Sequence, residues 1–257
     1  MAEIDQGKIS NGSRHWDWLP AILLKPRKTI AAILEQEKPV WMTPMLVISV
    51  LVILAVIISA PIQRVITQNG TSIPENFEYW SEDEQNQFYQ SQASQTSPIN
   101  LYLFPVLQRL AGYWLIWFLF SSILHLVITL AGSRATRQKA SNLTAWAMTP
   151  FALRLIAEIL VMLTTKRLVE NPGLSSLIPA AEGGLAVYLQ GILSKIDIYY
   201  IIHLVLVFMG GVPLSGLNKS KANWSTLIAA VIMLLLEALP ALAGSLLSGL
   251  SLSGFYF

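Results

Sequence analysis

Apolar and polar positions fall in long blocks along this chain, and the blocks predict its architecture. Five apolar stretches occupy residues 40–60, 104–131, 143–165, 196–217 and 224–242. A helix needs roughly 20 residues to cross the hydrocarbon of a bilayer, so each is about long enough to span. The pattern predicts an all-α integral membrane protein, a bundle of five transmembrane helices. Helix breakers recur inside the stretches. Pro105 stands near the start of the second, and Pro150 lies in the first half of the third. Gly210-Gly211-Val212-Pro213 closes the fourth and is expected to break or bend it, and Pro240 is expected to perturb the fifth. Such residues survive at membrane depth where neighbouring helices or water take up the freed backbone groups, which implies a compact bundle.

The polar blocks divide the rest. Residues 1–39 form an N-terminal segment, 40–242 the membrane domain with a polar loop at 62–103, and 243–257 a tail rich in small residues. Residues 16–38 read as one amphipathic surface helix, with Pro26 suited to a first turn and Ile30, Ile33 and Leu34 on one face. Trp16 and Trp18, with Lys25, Arg27 and Lys28, fit an interfacial anchor against anionic headgroups. Packing on the bundle or on a partner is the equal alternative. The 62–103 loop carries Phe77, Tyr79, Trp80, Phe88 and Tyr89, which suggest a short helix starting near Pro74 rather than a mobile acidic loop. Asn69-Gly70-Thr71 matches a glycosylation acceptor, a match too common to carry weight alone. In the tail, Ala241, Ser245, Gly249 and Ser253 recur every four residues, a helix-contact stripe. The preferred expectation is a frayed end with Phe255, Tyr256 and Phe257 in the interface.

Composition supports the membrane assignment. Hydrophobic residues make up 54% of the 257 and charged ones 12%, about half the share usual in soluble domains. A net charge of +2 is too small to suggest nucleic-acid binding, and without cysteine there is no thiol chemistry. The first 39 residues hold scattered charges and no continuous apolar core, so no cleavable signal peptide is expected. Alternate loops are basic: Lys25, Arg27 and Lys28, then Arg134, Arg137 and Lys139, then Lys219 and Lys221. The positive-inside rule therefore places the N-terminus in the cytoplasm and the C-terminus outside. Lys166-Arg167 stands on the other side, followed by Glu170 and Glu182.

A charge at the centre of a bilayer costs about 2.5–3.5 kcal/mol on insertion scales, so each one needs a partner or a task. Arg154 and Glu158 are four apart, share a helix face and are expected to pair within their helix. A gate, an ion step or a headgroup site is the functional alternative. Asp197 reads as a first-turn carboxylate suited to the helix dipole. His203 follows six residues later, turned about 600° round the helix, which argues against a relay between the two. His125 lies beside Ser121 and Ser122 in the second stretch. Glu237 is expected to meet Arg154 or a histidine across the bundle, or to be protonated. There is no phosphate loop, His-Glu-x-x-His or Gly-x-Ser-x-Gly motif, so no catalytic, cofactor-binding or metal-binding residue is assigned and no enzyme is expected.

Three stretches together resemble the Ypt-interacting-protein (Yip) membrane-domain family in its bacterial form. They are Lys25-Pro26-Arg27-Lys28-Thr29-Ile30; Leu130-Ala131-Gly132-Ser133 with Thr136-Arg137-Gln138, leading into Ala145-Trp146-Ala147-Met148-Thr149-Pro150; and Ile196-Asp197-Ile198-Tyr199 with Gly210-Gly211 and the Leu217 to Ala222 turn. The resemblance covers residues 25–242 and implies five spans with a cytoplasmic N-terminus. The Asp-Leu-Tyr-Gly-Pro and Tyr-Gly motifs of eukaryotic relatives are replaced by Leu24-Lys25-Pro26 and by residues 145–149, so small-GTPase binding is not expected. Bacterial relatives that accompany ATP-binding-cassette exporters suggest a non-enzymatic adaptor in the plasma membrane of a prokaryote, partnered by the bilayer and an exporter permease. A transporter or channel using the span charges, and a lipid-binding or membrane-shaping protein, are the other functions these residues allow.

Overall fold

A computed structural model describes residues 15–70, 76–169, 173–177 and 184–250, and among them the fold is all-helical. Thr71, Pro74, Glu75, Glu170, Glu182 and the 251–257 end of the tail lie outside the described residues. Of the tail stripe, only Ala241 has a described side chain.

The N-terminal segment folds as two helices, α1 (Trp18–Leu24) and α2 (Pro26–Glu35), rather than one. Pro26 excludes helical backbone from the residue before it, and Lys25 adopts φ −136°, ψ 57°. Ile22, Ile30, Ile33 and Leu34 are buried against the helices Arg137–Ala147 and Ile198–Ser215 of the bundle. Trp16, Lys25, Arg27 and Lys28 face outward, whereas Trp18 packs 5.4 Å from Trp146. The apolar face therefore belongs to the protein core, and the cations form a rim around it.

α3 (Met42–Gly70) is the first span and continues through Pro61 well past residue 60. Its entry is fixed by side chains from a later helix. Val40 N–H donates to Asn142 Oδ1 at 3.0 Å, Asn142 Nδ2 donates to the Lys38 carbonyl at 3.1 Å, and Trp146 Nε1 donates to the Val40 carbonyl at 3.0 Å. In the loop that follows, a 3-10 turn Phe77–Tyr79 leads into α4 (Glu82–Gln95), which starts later than Pro74 because Ser81 and Glu84 form a capping box. Phe77, Trp80, Phe88 and Tyr89 cluster with ring centroids 5.2–6.0 Å apart. A π-type turn Ile99–Leu103 then passes into α5 (Phe104–Leu130), the second span, with Pro105 in its first turn.

The third span is broken into α6 (Arg137–Ala147) and α7 (Thr149–Thr165) at the predicted proline. Pro150 has no N–H to give the Trp146 carbonyl, and Thr149 Oγ1 donates to that carbonyl at 2.7 Å. Lys166 ends α7 in the left-handed region, with φ 56°. A 3-10 turn (Gly173–Leu177) and α8 (Gly184–Lys195) occupy the next connection, where the sequence suggested only a loop.

The fourth and fifth spans are α9 (Ile198–Ser215) and α10 (Lys219–Leu250), each a continuous helix. The Gly210-Gly211-Val212-Pro213 run does not break α9. Its glycines admit neighbours instead: a Cβ at Gly210 would overlap the Leu143 side chain, and one at Gly211 the Thr226 hydroxyl. α9 ends at Gly216, φ 64°, and Ser133 Oγ donates to the Ser215 carbonyl at 2.7 Å. α10 runs on through Pro240 without interruption.

All five spans are long and apolar enough to cross a membrane. One apolar core joins α1 and α2 to α5, α6, α9 and α10 through Ile30, Leu124, Trp146 and Val207. A second joins α3 to α5 and α7 through Met45, Val52, Trp117 and Leu155. The N-terminal helices and the α5–α6 and α9–α10 connections share one face. α4 and α8 belong to the connections on the opposite, distal face.

Candidate functional site

The span charges meet in a cleft of about 480 Å³ among α5, α7, α8, α9 and α10, in the distal half of the bundle. Each charge arrives on a different support. Arg109 sits about a turn and a half into α5. Arg154 and Glu158 lie on successive turns of α7. Asp197 caps α9 by accepting the Tyr200 N–H at 2.8 Å, Lys195 ends α8, and Glu237 projects from α10.

The pairing differs from the sequence expectation. Arg154 and Glu158 do not pair with each other. Arg154 Nε lies 3.2 Å from Asp197 Oδ2, and Arg109 Nη1 donates to Glu158 Oε1 at 2.9 Å. An arginine placed N-terminal to its glutamate is the weaker orientation within a helix. Each group has instead found a better-placed opposite charge on another span, so the two bridges tie α7 to α5 and to α9. The pairs are not fully enclosed by protein, with side-chain exposures of 39% and 21% in one and 28% and 16% in the other.

Asp197 is thus both a helix cap and a bridge partner. Glu237 forms no direct pair with Arg154 or a histidine, but the charges of Lys195 and Arg154 act on it across the cleft. It lines the cleft, as Lys195 does, and neither forms a hydrogen bond or ion pair through its side chain with a described residue. Tyr113, Phe151, Tyr199 and Tyr200 supply the aromatic wall.

His203 lies one layer deeper and is fully structural in its contacts. Its Nδ1 is 2.8 Å from the Ala147 carbonyl, at the break between α6 and α7. A carbonyl can only accept, so Nδ1 carries the hydrogen. Phe120 and Phe151 stand 5.4 and 5.0 Å from the imidazole, and His203 is only 2% exposed. With buried Trp146 and Met148 they form a packed layer beneath the cleft. A second hollow, about 450 Å³, lies between α2, α9 and α10 toward the N-terminal face, with Arg27 and Lys219 on its edge. The two hollows share no lining residue. His125, elsewhere on α5, has a buried Nδ1 without a hydrogen-bond partner among the described residues.

Sequence reasoning overlooked Arg109, although a lone cation inside the second apolar stretch was a readable signal. It also overlooked Asn142, whose amide binds residues 38 and 40 from about a hundred positions away, a contact with no local signature.

Five apolar spans, a proline-broken third span and a charged cleft define a multi-pass helical membrane protein. Residues 21–239 match the family model described as Yip1 domain. The chain belongs to the Yip family. No curated protein and no solved structure gives a significant match.

Proposed function

We propose that this Yip-family chain is a non-enzymatic membrane adaptor, an accessory subunit that works through a partner such as an exporter permease. The observation that carries this reading is the packed layer of Phe120, Trp146, Met148, Phe151 and His203 beneath the cleft. A conducting path needs polar groups that line it from face to face. Here the cleft ends on aromatic and aliphatic side chains, and the bridged charges act as ties between spans. This disfavours the transporter reading.

The exposed sides of the spans support the same view. Leu115, Phe118, Leu126, Ile228, Val231 and Leu235 are between 43% and 57% exposed and suit contact with lipid or with partner spans. The basic rim of Lys25, Arg27 and Lys28 supports a cytoplasmic N-terminus in a prokaryotic plasma membrane. The test is purification from native membranes in mild detergent. Recovery of a stoichiometric membrane-protein partner, lost when Leu126 and Leu235 are replaced by alanine on an otherwise stable chain, is the expected result. Recovery of this chain alone under conditions that preserve other complexes would contradict it.

A further inference from the structure

The geometry points to a binding site for a compact zwitterion, a phosphate linked to a primary ammonium, in the distal cleft, a site independent of the adaptor reading. Three observations carry it. First, the four bridged charges neutralise one another, which leaves one basic side chain, Lys195, and one acidic one, Glu237, facing the same cavity, acting on each other across it but joined by no direct hydrogen bond or ion pair. A ligand that is neutral overall but carries both charges satisfies both. A purely anionic ligand places a second acidic group beside Glu237 and takes up the Lys195 charge that acts on it. Second, the cavity's 480 Å³ falls within the range of small-molecule sites, about 300–1,000 Å³, and it combines an aromatic wall with a few converging charges.

Third, Gly112 lines the cavity from the middle of α5, and a Cβ added there would meet nothing within 4 Å. A glycine inside a helix weakens it, and close packing is the usual reason for tolerating one. Gly210 and Gly211 have that reason and Gly112 does not. What Gly112 faces is the open space itself, so its missing side chain keeps the cavity clear.

The zwitterion has two sources with one chemistry. It is the headgroup of phosphatidylethanolamine in the bilayer, or a free solute such as glycerophosphoethanolamine. Val161 lines the cleft and is 43% exposed on the membrane-facing side of α7, a route by which acyl chains leave the site.

The test is native mass spectrometry of the full chain in detergent. It is titrated separately with phosphatidylethanolamine, phosphatidylglycerol, phosphatidylcholine and glycerophosphoethanolamine. The expected result is retention of an ethanolamine ligand over the other two lipids. Glu237→Gln and Lys195→Gln each weaken it about tenfold, the loss of one charge-assisted contact. Gly112→Leu abolishes it, whereas Gly112→Ala does not. Binding by the lipid alone assigns the bilayer as the source, and binding by the soluble compound assigns the free solute. Equal retention of the three lipids with no soluble binding, or Gln variants that bind as wild type while melting at the same temperature, would overturn the proposal.

Discussion

At the scale of single residues, the decisive feature is which charge meets which. Position along the chain makes Arg154 and Glu158 obvious neighbours, and a sequence displays only such local pairs. Their true partners, Asp197 and Arg109, depend on how three helices pack. A double-mutant cycle separates the two arrangements. Arg109→Met with Glu158→Leu should show a coupling of about 1 kcal/mol, modest because Arg109 is 39% exposed. Arg154→Met with Glu158→Leu should show almost none, with unfolding in detergent as the measurement. Asn142→Leu should be more damaging. It leaves the buried Val40 N–H unsatisfied, a loss of about 1–3 kcal/mol, and removes the part-buried bond to the Lys38 carbonyl. Loss of thermal stability, with the membrane content of the chain reduced, is the readout.

At the scale of elements, the spans and the break at Pro150 were legible because length, apolarity and a missing N–H each act locally. The glycine run in α9 was expected to break or bend the helix and does not break it, because a glycine's role depends on what approaches it. Gly210→Ala should therefore destabilise by about 1–3 kcal/mol, as overpacking does, and Leu143→Ala should restore part of the loss. Thermal denaturation of the two single variants and the double variant checks this. α8 went unseen because a short helix with two glycines and a terminal lysine carries neither the length nor the apolarity of a span. The cap of α4 predicts a pH response. The Ser81 N–H, with its hydroxyl, holds the Glu84 carboxyl below its usual value. Its contribution is present above the ordinary carboxylate range and is lost as pH falls through the lowered value. Protection of the amides in residues 82–95, taken relative to intrinsic exchange, should fall on acidification, and Glu84→Gln should remove that response.

At the scale of the whole molecule, the fold has two unequal halves. The N-terminal half is a packed core, sewn by Asn142 and Trp146 and covered by α1 and α2. The distal half holds the cleft, with bridged charges at its walls and an aromatic floor. The five-span class was readable from hydropathy. The buried cluster beside the cleft was not, since it is made by residues from α5, α6, α7 and α9 that are unremarkable in their own segments. The central claim is that the charges tie a shut bundle together and do not line a path. Flux across proteoliposomes measures this most directly. Wild-type chain should pass proton, sodium, potassium and chloride no faster than empty liposomes, with Arg154→Ala and Glu158→Ala equally silent. A wild-type flux that either substitution removes, in variants that remain folded and inserted, would contradict the account.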